Sequence, residues 1–269
     1  MTPRLLVLTG LALAAGAALA DEPALAQSRD YLLGASLNSS RDPLGTSDQT
    51  LRLRPIWAFQ LGRFRVASSG ATALLNQGRR SIDSGVSTEL RSGDRWTLST
   101  SLSIDEGRDW DRDPVYRGLP DVRTTLRGRL TAATDLSPRW SASVRASQDL
   151  LGRGGGLRLD GGVNYRHPLS DQTHWDLSLG LGWTNGTYAR THYGIALADA
   201  AVTGLPAFTP GSGLDTASIG WRLTSALSTH WVAYGGVSAL QLQGDAARSP
   251  LATRRTVFGA SVGLAYRSH

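Results

Sequence analysis

The sequence predicts an all-β protein, a closed antiparallel transmembrane β-barrel of about 12 strands that follows a cleaved export signal. Three observations carry this. Strand-length runs alternate apolar and polar residues, a basic–aromatic pair recurs where such runs begin, and glycine is too frequent for a helical protein, with 31 residues in 269.

The clearest run places Trp175, Leu177, Leu179, Leu181 and Trp183 on one face, with Asp176, Ser178, Gly180 and Gly182 on the other. Leu98, Leu102 and Ile104 continue the face of Trp96, as Ala142, Val144 and Ala146 continue that of Trp140. Partner runs precede them. Val122, Leu126 and Leu130 alternate with Arg123, Arg127 and Arg129, Leu157, Leu159, Val163 and Tyr165 with Arg158, Asp160, Asn164 and Arg166, and Ile219, Trp221 and Leu223 with Gly220, Arg222 and Thr224. The last run sets Phe258, Ala260, Val262, Leu264 and Tyr266 against Gly259, Ser261, Gly263 and Arg267. The run from Trp231 is less regular, because Val232 and Leu240 fall on the polar side. Weaker strands near 30–38, 50–61, 64–69 and 81–91 complete an even set, each about 9–11 residues long, as a tilted strand needs to cross hydrocarbon. An even count returns both ends of the barrel to one side.

The basic–aromatic pairs are Arg63-Phe64, Arg95-Trp96, Arg139-Trp140, His174-Trp175 and His230-Trp231, four of them just after turn residues. A soluble β-sandwich also alternates, but its polar faces rarely carry so many glycines and serines, and its aromatics do not gather at one end of successive hairpins. In a barrel, Phe64, Trp96, Trp140, Trp175 and Trp231 are expected to form an interfacial girdle between hydrocarbon and headgroups. Their polar neighbours then line the lumen, and Arg123, Arg127, Arg129, Arg145, Arg158, Arg166, Arg222 and Arg267 are its expected basic residues. Such a lining suits an anion-favouring eyelet or a lumen filled and cross-linked by arginine–acid hydrogen bonds. Twelve strands lie between filled barrels of about 8 and open channels of about 16–18, and the filled or narrow lumen is the preferred reading. The long 184–214 connection, with Tyr188, Tyr193, Pro206, Phe208 and Pro210, has the length of a functional loop or a folded-back plug.

Residues 1–20 read as a signal peptide, with a basic start at Arg4, an apolar stretch from Leu5 to Ala17 and a small-x-small site at Ala18-Leu19-Ala20. Ala24-Leu25-Ala26 is a second candidate site. Residues 21–269 then form the barrel. No later segment is apolar enough for a membrane-crossing helix. There is no cysteine, which removes disulfides and thiolate metal sites. The net charge is +6, and with no lysine present every basic side chain but histidine is arginine. Base composition of the gene is the preferred explanation, ahead of an anionic partner gripped by guanidinium.

Patterns associated with catalysis do not assemble. Gly259-Ala260-Ser261-Val262-Gly263 spells a nucleophile elbow, but it lies inside a strand and no acid follows it. Asp109-Trp110-Asp111-Arg112-Asp113 opens like a calcium loop, yet Pro114 and Pro120 occupy the positions of the required glycine and closing carboxylate. Gly152-Arg153-Gly154-Gly155-Gly156 reads as a turn, and the histidines lack metal-ligand spacing. His167, at a strand end, is the one candidate for a barrel-embedded hydrolase. The expectation is a non-enzymatic protein with no cofactor and no nucleic-acid partner.

A family resemblance rests on ordered short motifs: Gly118-Leu119-Pro120-Asp121-Val122, Leu136-Ser137-Pro138-Arg139-Trp140, His192-Tyr193-Gly194-Ile195, Gly204-Leu205-Pro206, Pro210-Gly211, Gly213-Leu214, Gly244-Asp245-Ala246 with Ser249-Pro250, and Gly263-Leu264-Ala265-Tyr266. In these the chain resembles the MipA/OmpV family. The resemblance implies an outer-membrane barrel in contact with lipid and lipopolysaccharide. It also implies a scaffold role, because the family takes its name from a member that links a murein-cleaving lytic transglycosylase to a penicillin-binding synthase. A narrow anion-favouring pore and a surface adhesin are the alternatives.

Overall fold

The computed structural model describes residues 31–45, 49–68, 71, 84–110, 113 and 115–268. The expected signal segment 1–20 lies outside them. Twelve strands run β1 Tyr31–Ser40, β2 Thr50–Leu61, β3 Phe64–Ala67, β4 Gly85–Ser92, β5 Trp96–Asp105, β6 Thr125–Asp135, β7 Trp140–Asp149, β8 Leu157–Pro168, β9 Thr173–Thr184, β10 Gly213–Ala226, β11 Trp231–Leu242 and β12 Thr256–Arg267. Among the described residues three short helices can be delimited in the connections: α1 Gly186–Tyr193, α2 Leu197–Thr203 and α3 Gly244–Arg248. Every strand pairs antiparallel with its sequence neighbours, and β1 also pairs with β12, so the sheet closes.

Closure is local chemistry at that seam. Gly34 pairs with Ala265 across it, and a Cβ at Gly34 would stand 2.2 Å from the Leu264 carbonyl oxygen and 2.6 Å from the Ala265 Cα. Only glycine lets the first and last strands approach so closely.

Turn chemistry fixes the hairpins. The Ser137, Ser170 and Ser228 hydroxyls accept the backbone N–H of Trp140, Thr173 and Trp231 at 3.2, 3.1 and 3.1 Å. Each serine follows a leucine, so one local sequence is used three times to turn the chain within four residues. The short turns 62–63, 93–95, 136–139, 169–172 and 227–230 all lie at one end, with Tyr31 and Arg267. The longer connections leave β1, β3, β5, β7, β9 and β11 at the other.

Alternation decides what faces outward. Leu53 and Ile104 are 74% and 73% exposed, and Val144, Leu179, Leu181, Ile219, Val237, Phe258 and Val262 are exposed on the same outer surface. So large an apolar surface is stable only in hydrocarbon. Backbone polar groups in hydrocarbon must be paired internally, which the closed ladder achieves.

The irregular run from Trp231 now has its reason. Val232 and Tyr234 face inward and pack with Leu32, Ile56, Ala58, Ala67, Ala71 and Ala265. The sector formed by β11, β12, β1, β2 and β3 is therefore filled by an apolar core, while β6 to β10 keep polar inner faces. Two expected elements differ from the structure. β3 has four residues, and the run from Val122 begins only at Thr125, because Val122 bridges Arg108 inside the loop.

Gly34→Val is expected to block closure. In refolding trials, heat-modifiable gel mobility should fall to a minor fraction of the protein; a variant as fully heat-modifiable as the parent would contradict the seam.

Candidate functional site: the stoppered lumen and the turn-side rim

The end with long loops is plugged. Asn185 caps α1 by accepting the Tyr188 N–H at 2.9 Å and also accepts the Leu157 N–H at 3.1 Å, pinning the helix to the start of β8. The Tyr188 ring lies under two inner-face arginines, 5.3 Å from the Arg127 guanidinium and 5.7 Å from that of Arg158. His192 stacks on Tyr188 at 4.1 Å. Tyr193 donates to Asp215 at 2.8 Å.

Asp215 reaches inward because the pairing of β9 with β10 shifts register between Leu214 and Thr216, a bulge that turns two successive side chains toward the lumen. There Arg158 pairs with Asp215, with Asp160 at 2.9 Å and with the Thr216 hydroxyl at 2.9 Å. Room for the guanidinium comes from Gly182, where a Cβ would stand 2.2 Å from Arg158 Nη2. Arg127 holds Asp105 at 2.6 Å and the Gly155 carbonyl at 2.9 Å. Asp149 accepts the Thr125 hydroxyl and the Gly155 N–H. Each buried charge thus has partners, as burial requires.

Above this layer the loops share an apolar core of Leu44, Trp110, Tyr116, Leu119, Ala189, Tyr193, Ile195, Leu242, Ala246 and Leu251. Four connections contribute to it. They are stitched by a Leu44–Ala252 bridge, an Arg108–Asp42 ion pair at 2.9 Å, and Ser249 donating to the Tyr193 carbonyl at 2.6 Å. Asp245 accepts the Gly211 N–H at 2.7 Å, and that bond with Arg248 beside it lowers its pKa.

The other expected inner arginines are more dispersed. Arg129 donates to Ser84 at 3.4 Å, Arg145 to Thr131 at 3.3 Å, and Arg166 pairs with Asp176 at 2.8 Å. Arg222 lies 5.7 Å from the Tyr234 ring, and Arg267 donates to the Thr229 carbonyl at the turn-side mouth. Arg123 is a correction: it is exposed, two residues before β6, in a loop stem whose Arg108–Val122 bridge imitates strand alternation.

The five expected girdle aromatics all stand beside short turns. Phe64, Trp96, Trp140 and Trp231 are exposed on the outer face, and Trp175 is half-buried against Tyr165 at 5.5 Å and His167 at 5.2 Å. Tyr31, His230 and Tyr266 join Trp231 in a second aromatic group. Sequence reasoning missed Leu136, Leu169 and Leu227, which are 58%, 59% and 63% exposed beside the same turns. Their signal was the repeated Leu-Ser pair. It also missed Asp215, whose inward turn depends on a bulge that periodicity conceals.

The family model for the MltA-interacting protein MipA matches residues 33–268. The chain belongs to the MipA family. Among curated proteins none matches it. Solved structures similar to this MipA-family chain include the KdgM porin in complex with disordered oligogalacturonate, at 10% identity and a TM-score of 0.43, covering 88% of this chain and 99% of that one. Another is an outer membrane channel from Pseudomonas putida F1, at 9% identity and a TM-score of 0.43, covering 92% and 100%. A third is the NanC porin, at 13% identity and a TM-score of 0.39, covering 89% and 99%. These likenesses concern the barrel fold alone. The MipA-family barrel is an outer-membrane protein.

Two predictions concern the stopper. Arg158→Ala leaves the buried Asp215 with the Tyr193 and Thr216 hydroxyls but no cationic partner, at a cost of about 3 kcal/mol. Amide exchange across 186–193 should then accelerate by roughly 100-fold; unchanged exchange would show that Arg158 does not hold α1. The second concerns pH. Burial lowers the His192 pKa to about 4, with Arg127, Arg108 and Arg158 adding to the shift and Asp105 opposing it. The opened state takes up its proton near the ordinary value of about 6.5, so the stopper should lose stability as pH falls from there to about 4, by about 3 kcal/mol at most. His192→Gln should flatten this dependence in exchange measurements corrected for intrinsic rates; an equally steep variant would assign it elsewhere.

Proposed function

We propose that this protein is a non-enzymatic scaffold of the cell envelope, anchored in the outer membrane and presenting its turn-side rim to a murein-cleaving lytic transglycosylase and a penicillin-binding synthase. The observation that carries this reading is the stopper. A lumen closed by an apolar loop core and cross-linked by Arg127, Arg158, Asp215 and Tyr188 is poorly suited to solute traffic. The end free of that core bears the short turns, which face the periplasm in outer-membrane barrels. The family description, an MltA-interacting protein, supports a periplasmic murein enzyme as partner.

In this reading Phe64, Trp96, Trp140, Trp175 and Trp231 form the girdle at the periplasmic lipid interface, together with Leu136, Leu169 and Leu227. The amphipathic rings set the depth of the barrel, so the turns project a fixed distance into the periplasm. Lipopolysaccharide meets the opposite end. The inner arginines hold the stopper and cross-link the lumen rather than form an eyelet.

Photo-crosslinking residues placed at Pro138, Asp171 and Thr229 should capture a lytic transglycosylase or a penicillin-binding synthase in intact cells, whereas one at Leu197 in the outer cap should capture neither. Absence of both enzymes at all three turns, with the barrel correctly inserted, would refute the scaffold. Planar-bilayer recordings should show no steady conductance, and a stable open channel would favour a pore.

A further inference from the structure

Below the stopper the lumen is not filled. A cavity of about 430 Å³ opens between the inner faces of β6 to β11 and the 136–139 turn. Its existence follows from small residues at inward positions: Ser143, Gly162, Ser178, Gly220 and Ser238 stand where longer side chains fill the opposite sector. It is reached from the turn side, since Ser137 and Arg139 form part of its lining and the stopper closes the far end. The volume lies within the range of small-molecule sites, about 300–1,000 Å³.

The lining has a definite chemistry. Within the cavity Arg166 and Arg222 are balanced by Asp135 and Asp176, and Arg139, exposed on the 136–139 turn, adds a positive charge at the mouth. Asp176 is engaged by Arg166 at 2.8 Å, by Asn164 at 3.3 Å and by His174 at 3.4 Å, so this carboxylate is shared among three groups that also edge the cavity. Arg222 projects from the adjoining strand beside the Tyr234 ring. The excess positive charge therefore sits at the turn-side mouth, where it raises the local concentration of anions beside the cavity. Between the arginines the wall offers hydroxyls and one carboxamide, groups suited to a ligand's hydroxyls.

We propose that this periplasm-facing vestibule binds a small hydroxylated carboxylate, a compound of the sugar-acid class, with its carboxylate toward Arg222 and Arg166 and its hydroxyls on Asn164, Ser178 and Ser238. Guanidinium groups bind carboxylate by paired hydrogen bonds, which fixes orientation. A polar site built for hydroxyls discriminates against ligands lacking them, because its own groups are then left unpaired. The site stands apart from the scaffold role: the partner enzymes would meet the rim, and the ligand enters the cavity within it.

The test is calorimetric titration of the purified full-length protein in detergent, with sodium glucuronate as probe and glucose and inorganic phosphate as comparators. Saturable binding of glucuronate is expected, at least tenfold tighter than either comparator. Arg222→Gln should weaken it at least tenfold, and Ser178→Phe, which fills the cavity, should abolish it, with heat-modifiable mobility confirming that each variant is folded. Absence of saturable glucuronate binding by the folded parent overturns the proposal. So does undiminished affinity in both variants, or equal affinity for phosphate or glucose. Crosslinking at the turns reads the scaffold separately, so the two ideas fail by different results.

Discussion

The structure depends on one constraint: a backbone N–H or C=O in hydrocarbon has no water to turn to, so each must find its partner within the protein. A sheet meets that condition only by closing, and here closure is made where β1 meets β12 at Gly34. Once the cylinder is closed, the pleat sends alternate side chains to two different media. Leucines, valines and aromatics go outward, and serines, glycines and arginines go inward. The barrel's axis, its two unequal ends and its divided interior all follow from that partition.

The interior is not uniform, and its asymmetry organises the functional account. One sector is packed by small apolar side chains around Tyr234, which stiffens the wall next to the seam. The other is polar, closed above by charged pairs and left open below. The stopper combines two kinds of interaction. Its outer part is an apolar core built from four loops, and its inner part is a layer in which the Tyr188 ring lies against Arg127 and Arg158. Neither part stands alone, because the loop core needs α1 in place and α1 is held by the arginines beneath it.

Much of the barrel was legible in the sequence, since strand alternation is a local property. The run from Trp175 to Trp183 reads as a two-faced strand without reference to anything else. The basic–aromatic pairs marked strand starts because turn serines act within four residues. Legibility failed where the structure departs from strict period two. Val232 and Leu240 looked misplaced although they face the lumen, and Arg123 looked like a wall residue because a loop stem mimics a strand. Asp215 was hidden for the same reason, as one bulged residue reverses the parity that identifies a face. The plug was readable as a length of chain, but its grip on Arg127 and Arg158 joins residues far apart in sequence, and no local pattern encodes that.

The central claim is that neighbouring residues along a strand face lipid and lumen in turn, and accessibility of single spin labels tests it most directly. The chain contains no cysteine, so labels can be placed one at a time at 175 through 183 in protein reconstituted into bilayers. The account predicts that odd positions collide with dissolved oxygen and are shielded from a water-soluble nickel chelate, while even positions show low oxygen collision, a strict two-residue period along β9. Accessibility that rises smoothly along the strand, or that is equal for both reagents at successive positions, would contradict it.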